Sequence, residues 1–361
     1  MLLYSTVDEN IRKQKLQDVK CWLLDIDGTI SIGEDLLPGA DKFFDALTDQ
    51  RFIFVTNNSS HSADYYVKRM SRIGIPTKRE NVLTSTDALI MYLKKIFDKD
   101  NITTMASNDA EKETEIENET KTKTKTKTDT NADADTDFNT NRTNANSNAD
   151  TDFNTSNTNT NTNIITDTNA NTNTTTKKTP SGTITVFPVG TPDFEMELLD
   201  AGIEIVKEKE KQINAVLLAF DTTLTYDKLD IACDYIRAGV PYIAANPDKV
   251  CPLADGKVLP DCGAILAFIQ TCTGVAPAKI IGKPDTSMSE MIISKYGYRQ
   301  EELAMVGDRI YTDLAFAKNA GILSIAVLTG EATLDEIIES RVEPEFIFEK
   351  IADIEKYLKK K

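Results

Sequence analysis

Two carboxylates, Asp25 and Asp27, follow an apolar run of the chain and stand two residues apart, with Gly28 directly after them. In an extended segment, residues i and i+2 point to the same side, so both acids can face one cavity. One could attack a substrate while the other moves protons, and a divalent cation would keep the nearer acid ionised. The same residues could also form an acidic turn at the end of a strand. Partners elsewhere in the chain must decide between these two interpretations.

Three further apolar runs each end in polar residues that suit phosphate chemistry. Phe52–Val55 is followed by Thr56, Asn57 and Asn58, Ile280–Ile281 is followed by Lys283, and Leu303–Val306 is followed by Asp308 and Asp313. Phosphoryl transfer needs an attacking oxygen, an in-line leaving group and positive charge on the equatorial oxygens. A carboxylate, a lysine, hydroxyl and N–H donors and a Mg²⁺ ion held by oxygen ligands meet those needs. Each piece alone could be a turn or a helix cap, but the ordered set predicts a phosphoryl-transfer site.

Short apolar runs alternate with amphipathic segments along the chain. The predicted strands are Cys21–Leu24, Phe52–Val55, Ile280–Ile281, Leu303–Val306, Ser324–Leu328 and Phe346–Phe348. The predicted helices are Ala40–Leu47, Ala63–Ile73, Ser287–Tyr296 and Asp313–Ala320. This alternation predicts an α/β fold with a Rossmann-like, doubly wound parallel sheet and helices on both faces. Ligands of such sheets bind at the carboxyl ends of the strands, where the polar residues described above stand.

A second α/β series lies between Ser85 and Lys279 and predicts a domain of its own. Its expected elements are the helices Thr86–Lys95, Glu195–Ala201 and Tyr226–Ala238 and the strands Thr183–Val186, Ala215–Ala219 and Tyr242–Ala244. Residues 104–180 interrupt it with a low-complexity run of Thr, Asn, Asp, Lys and Glu that cannot bury a core. We therefore expect a core domain from residues 1–84 and 280–361 and an α/β cap domain from residues 85–279. The cap domain would carry a disordered insertion at residues 104–180.

Composition excludes several classes of protein. The formal net charge of −16 over 361 residues argues against a nucleic-acid binder. Five cysteines without Cys-x-x-Cys spacing are typical of buried thiols in a reducing compartment. No apolar stretch approaches the roughly 20 residues of a membrane span, and Asp8 and Glu9 stand where a signal peptide needs an apolar core. We therefore expect a cytoplasmic protein with no membrane or nucleic-acid partner.

The four motifs, in their order, resemble those of the haloacid dehalogenase superfamily of phosphatases: a DxD strand end, a strand-ending Ser or Thr, a Lys, and a GDxxxxD acid pair. Only one helix fits between the first two motifs, whereas more than half of the chain separates Thr56 from Lys283, so the cap lies between the second and third motifs. That placement is similar to the class IIA branch, which is NagD-like and p-nitrophenylphosphatase-like. Ala219, where a glycine is usual, and Pro260-Asp261, in place of a common Pro-Gly, depart from the cap pattern of that branch.

The resemblance implies a role for each acid. Asp25 would attack phosphorus to form a phospho-aspartate, while Asp27 would protonate the leaving alkoxide and then activate the hydrolytic water. Mg²⁺ would be held by Asp25, by the main-chain carbonyl of Asp27 and by Asp308. Asp313 would orient this set of ligands without binding the ion.

The resemblance also assigns the polar residues that bind the substrate. Thr56 and the backbone donors of Asn57 and Asn58 would bind the transferring phosphoryl group. Lys283 would pair with the Asp25 carboxylate and with the phosphoryl oxygens. In the cap, Asn246 and Asp248 are expected to face the substrate, although Asn-Pro-Asp is also a tight-turn former.

These features predict a Mg²⁺-dependent phosphomonoester hydrolase that acts on a small phosphorylated metabolite of the sugar phosphate, nucleotide or phosphoglycolate class. A phosphomutase or phosphotransferase of the same superfamily is the nearest alternative, because it also uses both aspartates. A second alternative is a non-catalytic protein that binds partners through the Thr/Asn-rich insertion. We also expect a homodimer through the cap. The residues do not name the substrate, since a cap pattern does not identify its ligand.

Overall fold

The structure is a computed structural model that describes residues 9–97, 182–209, 211–253 and 257–358. The low-complexity run at residues 104–180, which the sequence analysis expects to be disordered, lies outside these ranges. The described residues carry two larger parallel sheets, which we call the core sheet and the cap sheet.

The core sheet has six strands, all parallel to their neighbours. From one edge to the other they are Phe346–Phe348, Leu323–Val327, Leu303–Gly307, Cys21–Leu24, Arg51–Thr56 and Val82–Thr84. In chain order, the two strands after Cys21–Leu24 lie on one side of it in the sheet, and the last three strands lie on the other side. The carboxyl end of this first strand therefore lies at a topological switch point, where open α/β sheets bind ligands. Of the six, Val82–Thr84 is a strand that the sequence analysis did not predict, because three residues show no clear pattern.

Both faces of the core sheet are covered, as the sequence predicts. Cys21 and Leu23 pack into one apolar cluster, whereas Trp22 and Leu24 pack into another, and all four are fully buried. Burial on both faces is typical of parallel sheets. The helices of this part are Glu9–Asp18, Ala40–Ala46, Ala63–Arg72, Ser85–Phe97, Ser287–Tyr296, Ala315–Ala320 and Leu334–Glu339. The predicted helix Asp313–Ala320 differs in its first turn, where a π-helical turn, Ile310–Leu314, precedes the α-helix.

The cap sheet has five parallel strands. From edge to edge they are Lys279–Ile280, Tyr242–Ala244, Ala215–Leu218, Thr185–Val189 and Glu204–Ile205. The helices Pro192–Asp200, Tyr226–Arg237 and Cys262–Thr273 accompany it. The later elements of the second α/β series are thus present in the order that the sequence predicts, whereas its first predicted helix, Thr86–Lys95, is the helix Ser85–Phe97, which contacts the core helix Ser287–Tyr296. The domain boundaries themselves stay predictions.

The strand before Lys283 belongs to the cap sheet, whereas the sequence analysis placed it with the core strands. Lys279 pairs with Ile243 and Ile280 pairs with Ala244. Gly282, with a φ of 79°, then turns the chain towards the core, and a Cβ at this position would lie 2.7 Å from Asn57 Oδ1. Two half-buried strand residues carry too little pattern to show which sheet they join.

Two short antiparallel hairpins lie close in sequence to the predicted site. Ser31–Ile32 pairs with Asp35–Leu36 just after Asp27, and we call this element the 31–36 hairpin. In the cap, Val250–Pro252 pairs with Val258–Pro260. Among the described residues, 3₁₀ segments also stand at Arg79–Asn81, Gln300–Glu302 and Ile351–Tyr357.

The five cysteines are free thiols with different exposure. Cys21, Cys233 and Cys262 are buried and Cys251 is partly buried, but Cys272 is exposed, so the expectation of buried thiols is wrong for Cys272. Its helix, Cys262–Thr273, turns this position towards solvent.

Within the described ranges, no helix combines the length and apolar character needed to cross a membrane. The cytoplasmic location stays a prediction.

Candidate active site

Three carboxylates meet at the carboxyl ends of two neighbouring core strands. Asp25 follows the first strand directly, and Asp308 and Asp313 follow the strand Leu303–Gly307 beside it. One oxygen of each acid lies within 4.8 Å of the others, and we call the three the acid cluster. Asp308 and Asp313 are buried, whereas Asp25 is partly exposed. The predicted first and fourth motifs therefore form one site.

Glycines let the backbone approach the acid cluster closely. A Cβ at Gly330 would lie 1.9 Å from Asp308 Oδ2, and one at Gly28, whose φ is 93°, would lie 2.5 Å from the same atom. A Cβ at Gly307 would lie 2.3 Å from the Cβ of Asp313. These three positions have no room for a side chain unless an acid moves. The glycines beside the motifs thus fix where the carboxylates stand.

The acid cluster is electrostatically unfavourable by itself. Burial, together with the neighbouring Asp25 carboxylate, raises the pKa of Asp308 to about 8. Burial also raises the pKa of Asp313 to about 6, although Lys283 opposes this change. Hard divalent cations such as Mg²⁺ bind carboxylate oxygens, so the donor set fits such an ion. The Asp27 carboxylate is not a member of the cluster, whereas the Asp313 carboxylate, which was expected only to orient the ligands, is a member.

Lys283 joins two members of the acid cluster. Its Nζ lies 2.5 Å from Asp25 Oδ1 and 2.7 Å from Asp313 Oδ1, and its side chain is only 2 % exposed. Burial alone would lower the pKa of Lys283, but the two carboxylates outweigh burial and raise it. The lysine therefore stays cationic next to Asp25, as the sequence analysis expects.

Asn57 holds the backbone of Lys283. Its side-chain Oδ1 accepts the Lys283 N–H at 2.7 Å, and its Nδ2 donates to the Lys283 carbonyl at 2.9 Å. The same Nδ2 also donates to Asp248 Oδ1 at 3.0 Å. From the sequence, the backbone N–H of Asn57 is expected to be a phosphate donor, and that role stays a prediction. Its side chain has a positioning role that could not be predicted, because its partners are distant in sequence.

Asn246 is fully buried, with its side-chain amide occupied by protein contacts. Nδ2 donates to the Asn57 carbonyl at 2.7 Å and to Ser59 Oγ at 3.3 Å, and Oδ1 accepts the Asp248 N–H at 3.0 Å. The last contact is the tight turn that the sequence analysis weighed against substrate binding. Contact of Asn246 with substrate stays a prediction, but the geometry favours a role in holding Asn57.

The cap also holds the chain segment that follows Asn58. In addition to the contact of Asn246 with Ser59, three other cap residues bond to this segment. Thr191 Oγ1 donates to the Ser60 carbonyl at 2.8 Å, the Phe220 N–H donates to Ser59 Oγ at 2.9 Å, and Glu197 Oε1 accepts the Ala63 N–H at 2.7 Å. Thr191, Phe220 and Glu197 belong to the cap series. The second-motif segment is therefore bonded to the cap as well as to the core.

Thr56 and Asn58 end the second core strand. Thr56 is 4 % exposed, and its Oγ1 accepts the Asn58 N–H at 3.2 Å. Asn58 Oδ1 accepts from the Ser60 N–H at 2.9 Å and from Ser60 Oγ at 2.7 Å. This is an Asx turn, the local structure that was considered as an alternative to a site. Asn58 also lines a cavity, so a local turn and a functional site are compatible at this position.

Asp27 lies outside the acid cluster and pairs with an arginine that the sequence analysis missed. Arg69 Nη2 lies 2.6 Å from Asp27 Oδ1, and the two side chains are 6 % and 39 % exposed. A signal for Arg69 was present: it stands three residues after Tyr66 and beside Met70, on the buried face of its helix. An arginine on such a face needs a partner, because a buried charge without one is costly.

Arg309 is a second missed residue. Its Nη1 lies 3.3 Å from Asp248 Oδ2, and its Nε lies 3.1 Å from Glu331 Oε2. Burial alone would lower the pKa of Arg309, but the carboxylates around it, Asp25 first among them, raise it. Arg309 thus adds a second fixed positive charge beside the acid cluster and bonds the core to Asp248 of the cap.

A cavity of about 490 Å³ lies beside these residues and has walls from both parts. Asp27, Arg69 and Arg309 give it charge, and Phe220, Leu253 and Leu259 give it an apolar wall. A larger cavity of about 770 Å³, near Lys20 and Leu323, lies at the amino ends of the core strands and touches no member of the acid cluster. The cavity beside Asp27 therefore fits a small substrate with a polar and an apolar part.

Two family models match the chain. One, described as haloacid dehalogenase-like hydrolase, matches residues 22–118, and the other, described as HAD-hydrolase-like, matches residues 280–354. The first range contains the Asp25 and Thr56 motifs, and the second contains Lys283 and Asp308.

Known proteins are similar over nearly the whole chain. An acid sugar phosphatase of Staphylococcus aureus is 25 % identical over 347 residues, which cover 94 % of this chain and 100 % of that protein. The crystal structure of a 4-nitrophenylphosphatase from Thermotoga maritima is 29 % identical with a TM-score of 0.68, covering 96 % of this chain and 99 % of that chain. NagD from E. coli K-12 has the same fold, with a TM-score of 0.63 at 20 % identity, covering 93 % and 98 % of the two chains. The chain is therefore similar to the NagD-like phosphatases of the haloacid dehalogenase superfamily, the resemblance that its motifs indicated.

Proposed function

We propose that this protein is a Mg²⁺-dependent phosphomonoester hydrolase that acts on small phosphorylated metabolites through a phospho-aspartate. The observation that carries the proposal is the bridge of Lys283 between Asp25 and Asp313 at the edge of a three-acid cluster. A carboxylate nucleophile needs a neighbouring cation, both to stay ionised and to accept an anionic phosphoryl group. This arrangement supplies that cation within hydrogen-bond distance of the nucleophile.

In the first step, a carboxylate oxygen of Asp25 attacks phosphorus and forms the phospho-aspartate bond. The ester P–O bond breaks, and Asp27, in its acid form, gives its proton to the leaving alkoxide oxygen. In the second step, Asp27 takes a proton from water, whose oxygen attacks phosphorus and breaks the bond to Asp25. Inorganic phosphate leaves, and Asp27 again carries the proton.

Phosphatases of this superfamily use a divalent metal. In this chain Asp25, Asp308 and the main-chain carbonyl of Asp27 would hold Mg²⁺, and the carboxylate of Asp313 stands close enough to take part. When bound, the ion neutralises charge on the transferring phosphoryl oxygens. Lys283, Thr56 and the backbone N–H groups of Asn57 and Asn58 complete the proposed phosphoryl site.

Sugar phosphates, nucleotides and phosphoglycolate are the proposed substrate classes. Among them, sugar phosphates have the support of the curated relative, an acid sugar phosphatase. The cavity supports a substrate of this size, and its charged wall suits hydroxyl groups.

The test is release of p-nitrophenol from p-nitrophenyl phosphate with Mg²⁺ and its loss with EDTA. Asp25→Asn should remove activity by more than about 10³-fold, because the nucleophile is lost. Asp41→Asn, an exposed acid at the start of the helix Ala40–Ala46, is the matched control and should keep parental activity. Activity that survives Asp25→Asn would contradict the mechanism.

The same assay separates hydrolysis from phosphoryl transfer. A hydrolase releases one inorganic phosphate for each nitrophenol, whether or not an alcohol or sugar acceptor is present. A phosphate deficit that grows with added acceptor would support the phosphotransferase alternative instead.

A further inference from the structure

We infer that Arg69 is the positioning residue that holds Asp27 in place for its two proton transfers. The inference rests on the proposed function, because it gives Asp27 the role of acid and base. Its basis is the direct contact of 2.6 Å between Arg69 Nη2 and Asp27 Oδ1. Arg69 reaches Asp27 from the helix Ala63–Arg72, which follows the second motif in sequence.

The guanidinium of Arg69 is itself held in place. Nη2 also donates to Ser31 Oγ at 3.1 Å, and Nε donates to the Gly33 carbonyl at 3.1 Å. Both acceptors belong to the 31–36 hairpin, and the Arg69 side chain is only 6 % exposed. A planar guanidinium bonded at two nitrogens has little freedom to rotate, so it can fix the carboxylate that it contacts.

The contact occupies one oxygen of Asp27 and leaves the other available. Across the described part of the chain, no hydrogen bond or ion pair reaches Asp27 Oδ2. The Asp27 side chain is 39 % exposed and lines the cavity. Arg69 therefore holds Oδ1, while Oδ2, on a side chain that lines the cavity, has no protein partner among the described residues and stays available to a leaving group. Orienting Asp27 in this way accelerates only those reaction steps in which a proton is transferred.

Arg72 provides a matched comparison on the same helix. One turn after Arg69, it pairs with Glu34 on the same hairpin, with Arg72 Nε donating to Glu34 Oε2 at 2.9 Å. Both side chains of this pair are more than half exposed, and neither contacts Asp27. Removing Arg72 thus loses a helix-to-hairpin ion pair and leaves the Asp27 contact intact.

The test compares phenyl, 4-chlorophenyl and 4-nitrophenyl phosphates, which have similar shapes but leaving groups of different basicity. The value of kcat/KM includes only steps up to the first irreversible one, so it reports departure of the leaving group. In Arg69→Met, kcat/KM for phenyl phosphate should fall by about 10²-fold, because a basic leaving group depends on the acid. The loss for 4-nitrophenyl phosphate should be at least about tenfold smaller, because that leaving group needs less proton transfer. Arg72→Met should leave the ratio of the two values as in the parent.

Asp27→Asn provides the decisive background. If Arg69 acts through Asp27, then adding Arg69→Met to Asp27→Asn should not steepen the leaving-group dependence any further. Arg69→Lys, which keeps the charge but loses the planar fork, should give an intermediate ratio and tests the inference if Arg69→Met does not fold. Thermal unfolding establishes that each variant is folded.

Two outcomes would overturn the inference while the proposed function stands: equal losses on all three substrates, or the same change of ratio in Arg72→Met. A parental protein that releases no nitrophenol with Mg²⁺ would instead refute the proposed function, and the inference with it.

Discussion

The side chain of Asn57 binds both the N–H and the carbonyl of Lys283, at 2.7 and 2.9 Å. By binding both backbone groups of Lys283, Asn57 fixes the position of the Lys283 Cα, from which the lysine side chain extends. The lysine that touches Asp25 is therefore positioned by a residue of the second motif. The second and third motifs, more than half of the chain apart, act as one unit.

Asn57→Ala should lower kcat/KM for p-nitrophenyl phosphate by about 10²-fold, because displacing a catalytic group by about 1 Å can cost that much. Asn319→Ala is the matched control. Asn319 Nδ2 donates to the carbonyl of Pro284 at 3.0 Å, in the same turn, but from an exposed position. We expect this control to stay close to the parental activity. Equal losses in both variants would show that the turn is merely sensitive to any lost hydrogen bond.

Gly330→Ala should lower activity and raise the Mg²⁺ concentration that gives half-maximal activity. The added Cβ would lie 1.9 Å from Asp308 Oδ2, so the carboxylate must leave its place in the acid cluster. Altered metal ligation typically costs about 10–100-fold in affinity or activity. A titration of activity against Mg²⁺ measures the effect. A folded variant with an unchanged Mg²⁺ midpoint would show that Asp308 does not bind the ion.

Glu197 should make the protein less stable as pH rises towards neutrality. Burial raises the pKa of Glu197 from 4.5 to about 7, with Asp87 and Asp193 adding to the rise and the Ala63 N–H and Arg79 opposing it. Between these two values the folded state holds a proton that the unfolded state has lost. The free energy of unfolding therefore falls across this range and levels off above it, by up to about 3 kcal/mol.

Glu197→Gln should remove this part of the pH dependence, while its side-chain oxygen can still accept the Ala63 N–H. Denaturant unfolding at several pH values between 5 and 8 measures it. Glu195→Gln, which removes an ion pair with Lys207 from the same helix, is the control and should keep the parental slope. A Glu197→Gln variant with the parental slope would contradict the prediction.

Deleting residues 104–180 should leave kcat/KM within about twofold of the parent, because the free-energy cost of closing a loop changes only slowly with its length. The assay with p-nitrophenyl phosphate measures activity, and thermal unfolding measures stability. A loss of activity in a folded deletion variant would indicate that the insertion takes part in the site.

Sequence alone predicted the α/β fold, the cap between the second and third motifs, and the positions of Asp25, Lys283 and Asp308. Asp25 and Asp308 follow neighbouring strands of the core sheet, so their place at one edge of that sheet follows from the strand pattern, whereas Lys283 reaches the site from the cap sheet. The second α/β series was predictable for the same reason.

Arg69, Arg309 and the side-chain role of Asn57 were not predicted. Each depends on a partner remote in sequence, as Asn57 depends on Lys283 and Asp248. The strand Lys279–Ile280 was assigned to the wrong sheet, since pairing with Tyr242–Ala244 depends on how the cap folds. Short strands and long-range polar contacts carry too little local pattern to be recognised from sequence.

Lys283 stands three residues after Ile280, the last residue of the edge strand of the cap sheet, so the cation beside Asp25 is placed by the cap series. The distance between Lys283 and Asp25 thus depends on strand pairing in the cap sheet as well as in the core sheet. A substitution that disturbs the pairing of Lys279–Ile280 with Tyr242–Ala244 would move the cation away from Asp25, although neither strand contains a residue of the acid cluster.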